Sequence, residues 1–207
     1  MYRNTFLSVM FLACCFNGSL CAQSDAQIYE RTCDAKTYPF SDPSPVATPN
    51  NSYYPYFRFD GFSMQAQEKQ WKMVVLENDY VKLTVTPEIG GKIWGAIDKV
   101  NNKEFVYTNG VVKFRDVAMR GPWTSGGIEF NFGIIGHAPT CSTPIDYLTK
   151  KNVDGSVSCH IFSYEWITRT VWNVEINLPK DKAYFTTHTT WFNPVSYTHL
   201  RAHETSA

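Results

Sequence analysis

The chain has little excess of either charge and no extended basic segment. Its 19 Lys and Arg residues balance 19 Asp and Glu residues, and the basic residues form only short pairs such as Lys150-Lys151. Nucleic-acid-binding proteins usually carry a basic patch, so we expect no nucleic-acid partner. The sequence also lacks a phosphate-binding glycine loop, a nucleophile elbow and a dinucleotide fingerprint. We therefore expect no cofactor.

Histidine is scarce and shows no metal-ligand pattern. Of the five histidines, two lie near the C-terminus, and the other three, His137, His160 and His188, lack the short spacings that zinc sites use. The sequence therefore predicts no metal site.

Cysteine is also scarce, with six residues in the chain. Only Cys33, Cys141 and Cys159 lie outside the first 22 residues, and an odd number allows at most one internal disulfide among them. We predict a Cys141–Cys159 disulfide. Three buried thiols are the alternative.

A single apolar run, Phe6 to Phe16, follows Arg3 near the N-terminus. It is too short to span a bilayer, and it leads to the small-residue exit Ser19-Leu20-Cys21-Ala22, which is the layout of a secretory signal peptide. We predict that residues 1–22 form this signal, that the protein is secreted or periplasmic, and that no segment spans a membrane. Acylation of Cys14, Cys15 or Cys21, as in a lipoprotein, is the alternative.

The C-terminal segment "VSYTHLRAHET", residues 195–205, looks like a translated sequencing-library adapter. We interpret residues 195–207 as a non-native tail, and a genuine strand is the alternative. The spacing of His199 and His203 would suit metal ligands on a helix, but on this interpretation neither has a functional role. We therefore expect the native domain to be truncated within a strand near Pro194.

Residues 23–70 contain the segment "TYPFSDPSPVATPNNSYYPYFRFDGF", which is rich in proline and turn residues and has no helical period. We interpret this region as an extended leader on the surface of the domain. Its five aromatic residues, Tyr53, Tyr54, Tyr56, Phe57 and Phe59, indicate that it packs against the domain.

From residue 71 to residue 194 the pattern is that of β-strands. The run "YVKLTVTP" alternates apolar and polar residues, as a half-buried strand does, and later runs are rich in β-branched and aromatic residues. Turn residues separate the runs at Asn78-Asp79, Lys99 to Lys103, Asp154-Gly155 and Pro179 to Asp181. The sequence predicts one all-β domain, a large antiparallel β-sandwich.

The segments "LENDYVKLTVTPEIGGKIWGAIDK" and "RGPWTSGGIEFNFGIIGHAPT" resemble the galactose-mutarotase-like superfamily. More narrowly, the chain resembles a secreted bacterial family of unknown function that often precedes tetratricopeptide repeats, and the resemblance covers about residues 37–193. It implies a supersandwich fold, a carbohydrate ligand and a chain that contains only the N-terminal part of the domain. It also implies a C-terminal repeat domain beyond this fragment.

In the mutarotases of this superfamily a "GGIP…HG" segment lines the sugar pocket, and "GGIEFNFGIIGH" takes its place here. The resemblance puts His137 at the pocket histidine, while Glu129 replaces the proline. Ring opening of an aldose needs a proton donor and a proton acceptor. We predict His137 as the acid and Glu129 as the carboxylate, with a buried histidine bonded to a backbone carbonyl as the alternative for His137.

Four further residues are candidates for binding a sugar. Arg120 could grip a substrate oxygen, or it could form a salt bridge with Asp116. The amide of Asn131 could bind a hydroxyl or satisfy a buried turn. Trp123 and Trp94 could stack on the apolar face of a sugar, although many tryptophans in a β-sandwich belong to the core.

Two hypotheses of function follow. The first is a carbohydrate-active enzyme of the mutarotase or epimerase type, or one that cleaves glycosides. The second is a carbohydrate-binding or scaffolding module in which Glu129 and His137 only bind ligand. Fold alone does not decide between them.

Overall fold

The computed structural model describes residues 24–46, 54–117, 121–132, 136–138, 140–166 and 168–193. The described residues form an all-β fold. In chain order its strands are β1 Gln27–Tyr38, β2 Gln67–Glu77, β3 Val81–Thr86, β4 Lys92–Asp98, β5 Lys103–Val106, β6 Val112–Lys113, β7 Arg115–Asp116, β8 Pro122–Trp123, β9 Asp146–Lys151, β10 Val157–Glu165, β11 Thr170–Leu178 and β12 Thr186–Phe192.

Three sheets make up this fold. The largest has six strands in the order β5-β4-β3-β2-β1-β6 and is curled. A four-stranded sheet has the order β12-β11-β10-β9, and β7 pairs with β8 in a small ribbon. The pairs are antiparallel except β1 with β6.

The main core lies between the two larger sheets. In β11 every second residue from Thr170 to Leu178 is buried, because successive side chains of a strand point to opposite faces. The buried residues Trp172, Val174 and Ile176 pack in one cluster with Val74, Leu76 and Leu83 of the six-stranded sheet. The arrangement is a β-sandwich, as the sequence predicts.

A second apolar cluster contains side chains of the opposite face of the six-stranded sheet. It contains Trp71, Met73, Trp94, Val112 and Phe114. The indole Nε1 of Trp71 donates a 2.9 Å hydrogen bond to Thr37 Oγ1, so this buried polar atom is satisfied.

The turn between β2 and β3 joins the two sheets through Asn78, which is 4% exposed. Its Oδ1 accepts hydrogen bonds from the amides of Tyr80 and Val81, at 2.8 and 2.7 Å. Its Nδ2 donates to the carbonyls of Pro179 and Lys182, at 2.7 and 2.8 Å. The predicted turns at Asn78-Asp79 and at Pro179 to Asp181 therefore contact each other.

Residues 23–70, interpreted from the sequence as an extended leader, contain part of the main sheet. They contain β1, which pairs along its length with β2, from Gln27 opposite Glu77 to Thr37 opposite Gln67. The sheet therefore begins well before residue 71. The sequence of β1, "QIYERTCDAKTY", buries few side chains, so its hydrophobic pattern does not identify it as a strand.

The aromatic residues that follow β1 pack against the domain in part. Phe57 lies edge-on to Phe40 with ring centroids 5.6 Å apart, and Tyr54 contacts Trp166 at the same distance. Phe59 is 70% exposed. Tyr53 lies outside the described residues.

The predicted Cys141–Cys159 disulfide is wrong, because Cys33, Cys141 and Cys159 are free thiols in the structure. Cys159 packs in the core between the sheets. Cys141 lies beside the carbonyl of Pro122, 3.6 Å from its Sγ. Burial raises the pKa of both thiols to about 12, which keeps them protonated at neutral pH.

Among the described residues no helix has the length and apolar character that crossing a membrane would require. The predicted signal peptide, residues 1–22, and the predicted non-native tail, residues 195–207, lie outside the described residues. So does Arg120.

Candidate functional site

Glu129 and His137 contact each other directly. The Nδ1 atom of His137 lies 2.9 Å from Oε1 of Glu129. The side chain of His137 is 40% exposed and that of Glu129 is 12% exposed. The sequence predicts two groups that face one sugar, whereas the structure shows a bonded pair with the imidazole toward solvent.

The position of Glu129 is fixed by the residue before it. Ile128 forms an isolated antiparallel bridge with Ile93 of β4, in which each amide donates to the other's carbonyl, at 2.8 and 3.0 Å. Gly127 precedes this bridge with a φ of 69°. The glycine-rich segment therefore attaches to β4 and sets Glu129 beside that strand.

The ring of Trp123 also contacts His137. Their centroids lie 5.8 Å apart with the planes at 72° to each other, an edge-to-face contact. Trp123 belongs to β8, which pairs with β7. The structure therefore brings Trp123, Glu129 and His137 together, three of the six residues that the sequence predicts for the site.

Asn131 holds the loop that leads to His137. Its Oδ1 accepts a 2.8 Å hydrogen bond from the amide of Ala138. Since Ala138 directly follows His137, this bond holds the backbone immediately after the histidine. The sequence leaves two roles open for Asn131, binding of a sugar hydroxyl and satisfaction of a buried turn. In the structure its Oδ1 atom bonds to a backbone amide within the turn.

Oε2, the second carboxylate oxygen of Glu129, is buried and has no hydrogen-bond partner among the described residues. Buried polar atoms are normally satisfied, and an exception at a candidate site points to an absent ligand atom or water.

Lys92 is a charged residue near Glu129 to which the sequence reasoning gave no role. It is 1% exposed, and its Nζ donates to the carbonyl and the Oγ1 of Thr124, at 2.8 and 3.2 Å. Burial lowers the pKa of Lys92, while the negative charge of Glu129 opposes that shift. The available signal was a lysine directly after Gly90-Gly91 and directly before the apolar pair Ile93-Trp94.

Trp94 lies elsewhere. It is 6% exposed and belongs to the second apolar cluster. It also lines a cleft of about 370 Å³ on the six-stranded sheet, called here the sheet cleft, together with Arg31, Lys82 and Glu104. Glu129 and His137 are not among the described residues that line this cleft.

A larger cleft of about 620 Å³ opens where the ends of β1, β2 and β10 meet the loops around Pro39 and Thr140. We call it the aromatic cleft, since its lining includes Trp71, Trp166 and Tyr164. Pro122 lines it, whereas the next residue, Trp123, contacts His137. Successive side chains of a strand point to opposite faces, so β8 separates this cleft from the Glu129–His137 pair.

In the part of the chain that the structure describes, no group of three or more His, Cys, Asp or Glu side chains could hold a metal ion.

Comparison with known proteins identifies the family. Residues 48–203 match the family described as "Domain of unknown function (DUF5107)". The chain belongs to this family. The matched range begins within residues 23–70, the segment interpreted as a leader, and extends into residues 195–207, the segment interpreted as a non-native tail.

A solved structure resembles this domain of unknown function. It is a TPR-domain containing protein from Parabacteroides distasonis, with a TM-score of 0.75 and 26% sequence identity. The match covers 84% of this chain but 30% of the other protein. The chain thus spans less than a third of the length of this structural neighbour.

Proposed function

We propose that the protein is a secreted or periplasmic carbohydrate-active protein of the mutarotase-like type, which interconverts the anomers of an aldose at the Glu129–His137 pair. The observation that carries the proposal is the 2.9 Å contact between Nδ1 of His137 and Oε1 of Glu129. A carboxylate on one ring nitrogen fixes the tautomer and leaves the other nitrogen for proton transfer.

The chemistry follows from this geometry. When Nδ1 donates to Glu129, Nε2 of the neutral imidazole can accept the proton of the anomeric hydroxyl as the C1–O5 bond breaks. The resulting imidazolium, stabilised by Glu129, then gives the proton to the ring oxygen. Both oxygens are attached to C1, so one nitrogen can serve both, and ring closure on the other face reverses the steps.

Neighbouring groups support this role. The ring of Trp123 makes an edge-to-face contact with the imidazole of His137, and this contact limits rotation of the histidine. The negative charge of Glu129 favours the charged form of the buried Lys92, against the effect of burial.

The experiment is polarimetry of freshly dissolved α-D-glucose and α-D-galactose with the protein expressed from its complete gene. We expect faster mutarotation than in buffer, and loss of at least about 100-fold of the enzymatic rate in His137→Ala, as for removal of a general acid–base group. Glu129→Gln should lower the rate less, because the amide still accepts a hydrogen bond from Nδ1. His188→Ala is the matched control, since His188 lies on the exposed strand β12.

A wild-type chain that does not accelerate mutarotation of either sugar would contradict the catalytic proposal. Equal rates for wild type and His137→Ala would do so as well. The melting temperature of each variant shows whether a lost rate reflects unfolding.

The second candidate is a non-catalytic carbohydrate-binding or scaffolding module. The observation that favours it is that Glu129 and His137 do not line the aromatic cleft or the sheet cleft in the described part of the chain. A module of this kind would bind sugar without turnover, and Glu129 and His137 would only bind ligand.

A further inference from the structure

The aromatic cleft has the size and composition of a ligand site. Its volume of about 620 Å³ falls in the range of about 300–1,000 Å³ that is typical of small-molecule sites. Aromatic rings from five separate parts of the chain meet there, among them Phe40, Tyr54, Trp71 and Trp166. Glu129 and His137 do not line this cleft, and the mechanism proposed for them does not involve it.

Three aromatic side chains form its exposed edge. Trp166 is 60% exposed, and it contacts Tyr54 and Tyr164 with centroid distances of 5.6 and 5.0 Å. Tyr54 and Tyr164 are themselves 41% and 38% exposed. A large apolar ring that neighbours hold in place but do not cover offers a flat surface to a ligand.

The turn that carries Trp166 is held by its neighbours. The buried carboxylate of Glu165 accepts hydrogen bonds from the amide and the hydroxyl of Thr168. The hydroxyl of Thr168 also lies 2.8 Å from that of Thr170 at the start of β11. Bonds that restrain a binding segment lower the conformational entropy lost when a ligand binds.

Polar groups accompany the rings. Ser41 lines the cleft, and its hydroxyl is buried without a hydrogen-bond partner among the described residues. Gln67 and Ser163 also line the cleft and add an amide and a second hydroxyl. Such groups can bond to the hydroxyls of a ligand whose apolar face lies on an aromatic ring.

The charges of the described lining argue against an anionic ligand. Lys69 is its cation, and its Nζ lies 3.9 Å from the centre of the Trp71 ring. Asp42 and Glu88 contribute two carboxylates. A nucleic acid or a phosphorylated ligand would meet more negative than positive charge here.

We propose that the aromatic cleft binds a neutral oligosaccharide, with one sugar ring stacked on Trp166, a second part of the glycan against Tyr164, and hydroxyls bonded to groups such as Gln67 and Ser163. Sugars combine an apolar face with a rim of hydroxyls, which matches exposed rings beside uncharged polar groups. The proposal rests on the proposed function for the class of ligand. It adds a separate binding site for a glycan chain, on the other side of β8 from Glu129 and His137.

The experiment is isothermal titration calorimetry of the full chain, which measures the dissociation constant for four neutral hexasaccharides: maltohexaose, cellohexaose, xylohexaose and chitohexaose. We expect at least one to bind, and we expect Trp166→Ala and Tyr164→Ala each to weaken that binding by about tenfold, as for loss of one stacked ring. Both side chains are exposed, so neither substitution should leave a cavity. Circular dichroism and the melting temperature check the fold.

Tyr184→Ala is the matched control. Tyr184 is 52% exposed and precedes β12, at the end of β11 that lies away from Trp166. Its substitution should leave the dissociation constant unchanged. Decaproline is titrated as well, because a proline-rich peptide also binds between exposed aromatic rings.

Three results would overturn the proposal. The first is no binding of any of the four hexasaccharides. The second is equal affinity in wild type, Trp166→Ala and Tyr164→Ala. The third is binding of decaproline alone, lost in Trp166→Ala, which would assign the cleft to a peptide.

The same variants separate this proposal from the catalytic one. If the cleft binds glycan and the chain does not accelerate mutarotation, the catalytic proposal fails and the cleft stands. If His137→Ala loses turnover and still binds the hexasaccharide with wild-type affinity, the two sites are independent. If the chain accelerates mutarotation but binds no hexasaccharide, the catalytic proposal stands and the proposal for the aromatic cleft fails.

Discussion

Gly127 shows at the scale of one residue why the segment before His137 is rich in glycine. Its φ is 69°, and a Cβ atom placed on it would lie 2.2 Å from the carbonyl oxygen of Ile93. Glycine permits both a left-handed φ and a close approach of the backbone to another group. The group that Gly127 approaches is the backbone of the protein's own strand β4.

We predict that Gly127→Ala lowers the free energy of unfolding by more than about 2 kcal/mol, because a left-handed φ and a backbone clash are both costly for alanine. The midpoint of urea denaturation measures this change. Gly110→Ala is the control, since a Cβ atom at Gly110 meets no atom within 4 Å. Equal midpoints for the two variants would show that the Ile93–Ile128 bridge can shift at little cost.

Asn78 acts at the scale of secondary-structure elements, because it fastens the β2–β3 turn to the turn between β11 and β12. Its side chain makes two bonds within its own turn and two to the carbonyls of Pro179 and Lys182. The sequence predicts both turns from their composition. Their contact depends on the packing of two sheets, which local composition does not encode.

We expect Asn78→Ala to lower the free energy of unfolding by about 2–4 kcal/mol, since it leaves buried backbone groups without a partner. Thermal unfolding followed by circular dichroism gives the value. Asn101→Ala is a suitable control, because Asn101 is exposed and bonds only locally to Asp98, and such surface changes usually cost less than about 0.5 kcal/mol. A loss below that size in Asn78→Ala would mean that the two turns pack independently of this side chain.

The two edges of the four-stranded sheet differ at the scale of the whole molecule. On one edge β9 carries Asp146, Lys150 and Lys151. On the other edge β12, "TTHTTWF", has no Asp, Glu, Lys or Arg and is exposed at every residue. Its Trp191 and Phe192 are 53% and 62% exposed. Charged residues protect an edge strand from pairing with another chain, so β12 is the less protected edge.

We predict that the chain self-associates through β12 and that Thr189→Lys with Thr190→Lys reduces this association. Sedimentation velocity at several protein concentrations measures it. Thr149→Lys on β9 is the control and should leave the distribution of species as in wild type. A wild-type chain that sediments as a monomer at every concentration would contradict this prediction.

The sequence by itself determined the fold class, because alternating burial in strands such as β3 and β11 and the residues of the turns are local properties of the chain. It also marked Glu129, His137 and Trp123, which the structure brings into contact. It did not reveal β1, whose partly exposed face lacks an alternating apolar pattern. Only the tertiary structure decided that Cys141 and Cys159 stay apart as thiols, that Lys92 lies buried near Glu129, and that Tyr54 meets Trp166 at the aromatic cleft. Each of these contacts joins residues far apart in the chain, and such contacts depend on how the two sheets pack and where the connecting segments cross between them.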